Sequence, residues 1–191
     1  MQGTEGTANS APPYIIRTIQ KGDCKLPFAL AGKQHESLKI YFRKDSERAR
    51  RELITQTYVA VPKNSIISCI LGYISLMSAE IAFAGTYSIP DKPRADRYPT
   101  QPAIRIARLA VADGARGCGV GRDLLSLSIS IAIDHVCASV GCRFLITNAK
   151  PESVGFYGKY GFALLDTDEN RASIAPIMWL DLRPYVATIG G

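Results

Sequence analysis

The sequence predicts an α/β fold in which helices pack on one mixed sheet, and three observations carry that expectation. Segments with the alternating or continuously apolar pattern of strands recur from Tyr14 to Leu182. Two of them are separated by a long helical pattern entered through a glycine-rich turn, Arg116-Gly117-Cys118-Gly119-Val120-Gly121. The order strand, helical region, three strands, helix, strand, helix, two strands is that of an α/β sandwich around a single sheet.

Taken in order, Tyr14–Ile19 reads as the first strand and Gly22–Pro27 as a break. Glu36–Glu52 is a charged helical region with Leu38, Tyr41 and Phe42 as its buried contacts. Gln56–Val61 is β-rich and ends at Pro62-Lys63-Asn64-Ser65, a turn sequence. Ile66–Met77 supplies the next strand. Pro90, Pro93, Pro99 and Pro102 make Ile89–Pro102 an irregular excursion. Ala103–Val111 alternates and then becomes continuously apolar, as a central strand does.

Asp123–Ala138 is ambiguous, because Leu125, Leu127, Ile129, Ile131 and Ile133 alternate with Ser or Ala as in a strand. Leu125, Ile129, Ala132, Ile133 and Val136 also form one helical face, with Asp123, Ser126, Ser130 and Asp134 opposite. Length and the glycine-rich entry favour a helix. Arg143–Ala149 is then a strand, Pro151 opens a short helix through Lys159, and Gly161 ends it. Phe162–Leu165 and Ile174–Leu182 finish the sheet. Residues 14–185 are expected to form one domain, with flexible tails at 1–13 and 186–191.

The chain has 191 residues, 47% hydrophobic and 21% charged, which suits one globular domain. The longest apolar runs are broken by Ser or Asp, and Met1–Pro13 lacks the basic start and apolar stretch of a secretory signal. A cytoplasmic protein without a membrane segment is expected. Cys24, Cys69, Cys118, Cys137 and Cys142 form no CxxC pair and are joined by only His35 and His135. Neither a disulfide framework nor a metal site is expected. The formal net charge of +6 favours a polyanionic partner. The excess crowds two segments, Lys39–Arg51 and Lys92–Arg108, either of which could be a solvated face or a phosphate-tracking surface.

The glycine-rich turn carries the chemistry. A helix N-terminus has unpaired N–H groups and partial positive charge. Gly117, Gly119 and Gly121 let the backbone turn and approach an anion closely. Cys118, Val120 and Arg122 can offer main-chain amides, and Arg116 and Arg122 add charge. The turn lacks the spacing of a dinucleotide fingerprint and the Gly-Lys-Ser/Thr of a Walker loop. A purely structural turn is the competing reading.

Arg108-Leu109-Ala110-Val111, the R-x-x-G-x-G turn, and Phe156-Tyr157-Gly158-Lys159-Tyr160-Gly161-Phe162 together resemble the Gcn5-related N-acetyltransferase (GNAT) superfamily, over about Tyr58 to Leu182. The resemblance implies a mostly antiparallel sheet of six or seven strands, splayed where Val111 and Asn148 lie, with helices around it. It implies acetyl-CoA as cosubstrate, its pyrophosphate on residues 116–122 and its pantetheine arm along Leu109, Ala110 and Val111, with the thioester near Asn148.

Thr57-Tyr58-Val59-Ala60-Val61, Arg97-Tyr98 through Pro102 to Arg105–Val111, and Gly119–Leu125 are most similar to the acetyltransferase toxins of bacterial toxin–antitoxin pairs, although Gly22-Asp23-Cys24 departs from their pattern. That likeness implies aminoacyl-tRNA as substrate, a ribbon-helix-helix antitoxin as partner and a possible homodimer.

Acetyl transfer needs a neutral amine, a held thioester, an oxyanion donor and a proton for the leaving thiolate. A strand amide at Val111 or Ala110 is the candidate donor. Tyr157 is the candidate general acid, projecting ~100° from Phe156, with a core tyrosine as the alternative. Phe156 and Tyr160 are expected on the core-facing ridge. No base is evident: His35 and His135 read as boundary or surface residues, and nothing singles out Glu80 or Glu152. Cys118 is expected to offer its backbone and turn its thiol away. A base-poor site favours an α-amine, because deprotonating a lysine of pKa ~10.4 at pH 7 costs ~4–5 kcal/mol and an α-amine only ~1 kcal/mol.

Three functions follow. The first is a toxin acetylating aminoacyl-tRNA and blocking translation, with Arg43, Lys44, Arg94 and Arg97 contacting the tRNA. The second is a small-amine, polyamine-like or protein N-acetyltransferase, for which an acidic acceptor pocket is expected. The third is a non-catalytic coenzyme-binding or antitoxin-dependent DNA-binding module, against which Tyr157 counts.

Overall fold

The computed structural model describes residues 13–63, 68–83 and 98–187. Among them, seven strands form one sheet: β1 (Tyr14–Thr18), β2 (Gln56–Pro62), β3 (Gly72–Ile81), β4 (Gln101–Val111), β5 (Phe144–Asn148), β6 (Ala163–Leu164) and β7 (Ile177–Asp181). Their spatial order is β1-β2-β3-β4-β5-β7-β6. Every neighbouring pair is antiparallel except β4 and β5. The expected mixed, mostly antiparallel sheet is the one observed. β3 starts later and runs further than the apolar pattern suggested. Its bounds are set by pairing with β4, from Gly72 opposite Val111 to Ile81 opposite Gln101.

The charged segment forms helix α1, residues 36–51, in which Tyr41–Asp45 make a π-helical stretch between Glu36–Ile40 and Ser46–Arg51. Phe42 is fully buried and stacks on Tyr73 of β3 at 4.9 Å between centroids. Tyr73 in turn donates its hydroxyl to the Leu38 carbonyl at 2.8 Å. Ahead of α1, Arg17 and Asp23 form a bidentate pair at 2.6 and 2.9 Å, and the Gln20 amide donates to the same carboxylate. Burial opposes ionisation of Asp23, but Arg17 and that amide hold its carboxyl below the usual range. The Glu47 carboxylate accepts the Gly22 and Cys24 amides. The departure at Gly22-Asp23-Cys24 is thus a turn built around two carboxylates.

Helix α2 (Val120–Val140) follows the glycine-rich turn. It buries Val120, Leu124, Leu125, Ser128 and Ala132 against the sheet. The face is rotated from the expected one, since Ile129, Ile133 and Val136 flank the core rather than fill it. Ser128 can be buried because its hydroxyl donates back to the Leu125 carbonyl at 2.7 Å. By length and composition α2 also meets the requirement for crossing a bilayer, with mean hydropathy 1.4, because its serines weigh little against its isoleucines.

Helix α3 (Pro151–Gly158) follows β5, and the short helices α4 (Asp168–Arg171) and α5 (Arg183–Ala187) complete the order. One core joins α1 and α2 through the sheet. A second, smaller one gathers Phe83, Phe144 and Ile146 with Trp179 packed edge-on.

Candidate active site

β4 and β5 pair only from Ala103 opposite Phe144 to Ile106 opposite Thr147. Beyond Ile106, β4 continues to Val111 with β3 on one side, while Asn148 pairs with β7. The other edge of β4 is left open, and it lines a cavity of about 730 Å³. Ala112 donates its amide to the Leu71 carbonyl at 2.8 Å. Hydrogen-bonded residues alternate along an antiparallel ladder, so Ala110, opposite Tyr73, spends its backbone on β3. The N–H and C=O groups of Leu109 and Val111 point into the cavity instead. Of the two expected oxyanion donors, Val111 keeps a free amide and Ala110 does not, whereas Leu109 gains the possibility.

The register between β3 and β4 shifts at Ser75/Leu76, where Ala107 is the extra residue. A bulge of this kind re-phases the side chains that follow. Arg105 and Arg108, which strict alternation would send to opposite faces, come to the same face and both line the cavity. Arg105 donates to the Asn148 side-chain oxygen, and Asn148 donates to the Ala175 carbonyl at 3.2 Å. The Arg108 guanidinium lies over the Tyr41 ring, 5.2 Å from its centroid. Lys150 also lines the cavity, reaching across it to the Gln34 carbonyl.

At the other end lies the glycine-rich turn. Gly117 and Gly119 have φ of 79° and 85°, the left-handed region that favours glycine. Gly119 opens α2 without a side-chain cap. Among the described residues the amides of Val120, Gly121 and Arg122 have no acceptor, and the first helical bond runs from Asp123 N to Gly119 O at 3.0 Å. The Cys118 amide is used within the turn, donating to Ala115 O at 3.4 Å, so it is less available than expected. Its thiol is exposed. At Gly121 a Cβ would sit 3.4 Å from Val111 and 3.6 Å from the Phe156 ring, ordinary contact distances, so α3, β4 and α2 meet here with room for a methyl group.

Arg116 lines the cavity and pairs with Asp113 at 2.9 Å. Arg122 pairs with Asp123 at 2.8 Å. Asp123 also accepts the Tyr14 hydroxyl at 2.6 Å. Burial, then this bond, push the Tyr14 phenol up to about 12. The tie from β1 to the first turn of α2 had no sequence signal, since Tyr14 and Asp123 are remote along the chain.

Tyr157 lines the cavity on the inner face of α3, only 5% exposed. Its ring packs on Phe162 at 5.3 Å and Phe156 at 5.2 Å. Burial raises the phenol above its ordinary value, and a hydrogen bond with the Thr147 hydroxyl opposes that. Thr147 donates to the Ile106 carbonyl at 3.2 Å. The expected division of α3 is corrected here: Tyr157 is its most buried aromatic, while Phe156 lines the same cavity against Gly121. The reason is that α3 faces the cleft rather than a closed core.

Glu152 and His35 also line the cavity. His35, read from sequence as a boundary residue, has its Nδ1 buried without a hydrogen-bond partner among the described residues. His135 is exposed, and Glu80 is exposed and accepts the Thr100 hydroxyl at 2.9 Å. Neither lines the cavity. Arg43 and Lys44 are exposed on α1, outside it. Arg94 and Arg97 lie outside the described residues. Among those described, no group of three or more His, Cys, Asp or Glu is placed to hold a metal.

The family model for the acetyltransferase (GNAT) domain matches residues 41–177. No curated protein matches the chain by sequence. Similar solved structures include a tyrosine-to-phenylalanine mutant of KacT, 19% identical over 93% of this chain and 99% of that one, with a TM-score of 0.74. AtaT complexed with acetyl-methionyl-tRNAfMet is 18% identical over 92% and 99% of the two chains, with a TM-score of 0.73. AtaTR bound with acetyl-CoA is 18% identical over 93% and 98%, with a TM-score of 0.70.

Proposed function

This chain belongs to the acetyltransferase (GNAT) domain family, and from that premise we propose that it moves the acetyl group of acetyl-CoA onto the α-amine of an aminoacyl-tRNA, acting as a toxin on translation. The observation that carries the acceptor is the charge of the cavity. Besides Arg116 at the coenzyme end, Arg105, Arg108 and Lys150 line it, with Glu152 as its one carboxylate among the described residues. A polycationic amine needs carboxylates around it, whereas an amine attached to a chain of phosphates needs this arrangement. AtaT, which shares the fold, has been captured with an acetylated aminoacyl-tRNA.

In this reading the free amides of Val120, Gly121 and Arg122 hold the coenzyme pyrophosphate, with Arg116 beside it and Arg122 at the rim. The open backbone of Leu109 and Val111 pairs with the amides of the pantetheine arm. The acceptor enters from the side of Arg105 and Asn148. Its neutral amine attacks the thioester carbonyl, the new C–N bond forms, and the Leu109 or Val111 amide steadies the developing oxyanion. The C–S bond then breaks as Tyr157 gives its proton to the sulfur. The amine releases its own proton to water, and Tyr157 is reprotonated from solvent. Tyr157 is protonated at neutral pH as any phenol is, and burial, which raises it further, leaves that proton in place for transfer. A ribbon-helix-helix antitoxin is the partner this reading brings with it; AtaT has been seen with the C-terminus of AtaR.

The test is to incubate the protein with labelled acetyl-CoA and, separately, charged tRNA, uncharged tRNA, spermidine and a lysine peptide. Label is expected on charged tRNA alone, fading steeply with added salt. Label on spermidine or peptide in preference to charged tRNA would overturn the acceptor assignment.

A further inference from the structure

The two faces of the sheet separate the coenzyme's diphosphate from the acceptor. Neighbouring residues of a strand point to opposite faces. In β3, a Cβ on Gly72 would meet Val120 at 2.9 Å and Leu124 at 3.2 Å, whereas Tyr73 stacks on Phe42 of α1. Helix α2, whose first amides hold the diphosphate in the proposed reading, therefore covers one face and α1 the other. Arg108 lies over Tyr41, on the α1 face, so an acceptor passing it approaches from that side. The wall it meets there is the segment leading into α1. Phe28 packs edge-on against Tyr73 at 5.6 Å, and the Tyr73 hydroxyl holds the Leu38 carbonyl. Along this stretch Leu30, His35, Ser37 and Leu38 line the cavity. Lys150 fastens it from across the cavity at the Gln34 carbonyl.

The other end of this strap, residues 29–38, is fastened by Asp113, two residues past β4. The Ala31 amide donates to Asp113 Oδ2 at 2.6 Å, and the Asp113 amide donates to the Ala29 carbonyl at 2.9 Å. The second carboxylate oxygen pairs with Arg116 at 2.9 Å. A carboxylate at this place works against anion binding, because it competes for the Arg116 guanidinium and adds like charge beside a diphosphate. Its gain lies in the strap. We propose that Asp113 is a positioning residue for the acceptor: it holds the strap against the sheet, so that Leu30, His35 and Leu38 form a fixed wall for the aminoacyl group, and it touches neither substrate. A wall ordered in advance spares the acceptor the cost of ordering it on binding. The inference rests on the acceptor reading above and adds to it the residue that fixes the acceptor's side of the cavity.

The experiment compares wild type with Asp113→Ala and Asp113→Asn. It reads KM for charged tRNA, affinity for acetyl-CoA by calorimetry, and amide hydrogen exchange across residues 29–38. Asparagine keeps a side-chain oxygen for the Ala31 amide and gives up the charge, whereas alanine gives up both. Asp113→Ala is expected to raise KM for charged tRNA ~3–10-fold, the worth of one such bond, and to speed exchange in the strap. Its affinity for acetyl-CoA should be no weaker than that of wild type, since Arg116 loses a competitor. Asp113→Asn should return KM and exchange to near the wild-type values while binding acetyl-CoA as Asp113→Ala does. A merely structural role in the phosphate turn would instead weaken acetyl-CoA binding in both variants, and that result overturns the inference. So does an equal loss on the acceptor in both, or an unchanged acceptor KM in Asp113→Ala. If wild type acetylates no charged tRNA, the proposed function falls, and the strap is then judged by KM for whichever other acceptor takes the label and by exchange. Unchanged exchange in Asp113→Ala would dismiss the clamp.

Discussion

Replacing Tyr157 with phenylalanine separates chemistry from stability. The substitution deletes one hydroxyl at a position 5% exposed and leaves the ring contacts with Phe156 and Phe162 in place. Thr147 keeps its bond to the Ile106 carbonyl, so no buried polar group loses its last partner. The expected loss of stability is ~1 kcal/mol, or ~2–4 °C in Tm for a chain of this size. If Tyr157 supplies the proton to the departing thiolate, kcat falls by ~10²–10⁴, equivalent to ~3–5 kcal/mol of barrier. The kinetic effect thus exceeds the structural one several-fold. Thiol release at saturating acetyl-CoA gives kcat, and calorimetry of acetyl-CoA binding verifies that the cleft is intact. A folded variant that binds acetyl-CoA normally and keeps kcat within a factor of about three would refute the role of general acid. The phenol's own value is raised from 10.0, so no loss of rate from its ionisation is expected between pH 7 and 9.

Two further outcomes follow from the same geometry. Gly119→Ala places a side chain at φ 85° with its Cβ 3.2 Å from the Arg122 guanidinium; it should cost ~1–2 kcal/mol and weaken acetyl-CoA binding in calorimetry. Gly114→Ala, with nothing within 4 Å, should do neither; equal behaviour of the two would remove the conformational argument for the turn. Asp23→Asn breaks the buried pair with Arg17 and should cost ~2–4 kcal/mol at pH 7. Because the folded Asp23 carboxyl titrates below its unfolded value, its contribution is complete above ~pH 5 and disappears as pH falls through the folded value. Urea unfolding should therefore show the gap between wild type and variant narrowing on acidification, and a gap that does not narrow at all below ~pH 4 would contradict the linkage.

Much of this architecture is legible in the sequence. The strand pattern, the length of the helix after residue 120, and Pro151 as a helix start all depend on local sequence, and the structure has each of them. The face that α2 buries was read a fraction of a turn off. The apolar count favoured Ile129 and Ile133, whereas Ser128 is buried by bonding to its own helix. Tyr157 is singled out because it projects away from Phe156 and Tyr160; those two rings do meet, at 5.2 Å, but Phe156 lines the cavity as well. His35 is the boundary residue expected, at the N-cap of α1, but it also lines the cavity, and nothing local says that the segment before α1 crosses toward Lys150.

What the linear order of residues could settle was the inventory: a glycine-rich turn between a strand and a helix, a phenol one short helix later, and two basic segments with no metal-ligand spacing. Those are short-range facts, fixed by backbone permissiveness and periodicity. Only the assembled fold decided which groups meet. Pairing of β4 with β5 stops after Ile106 and opens the cavity. The extra residue at Ala107 turns Arg105 and Arg108 to one face, and Tyr14 reaches Asp123 across the sheet. Each of these depends on strand register, and register is set by contacts between residues far apart in the chain.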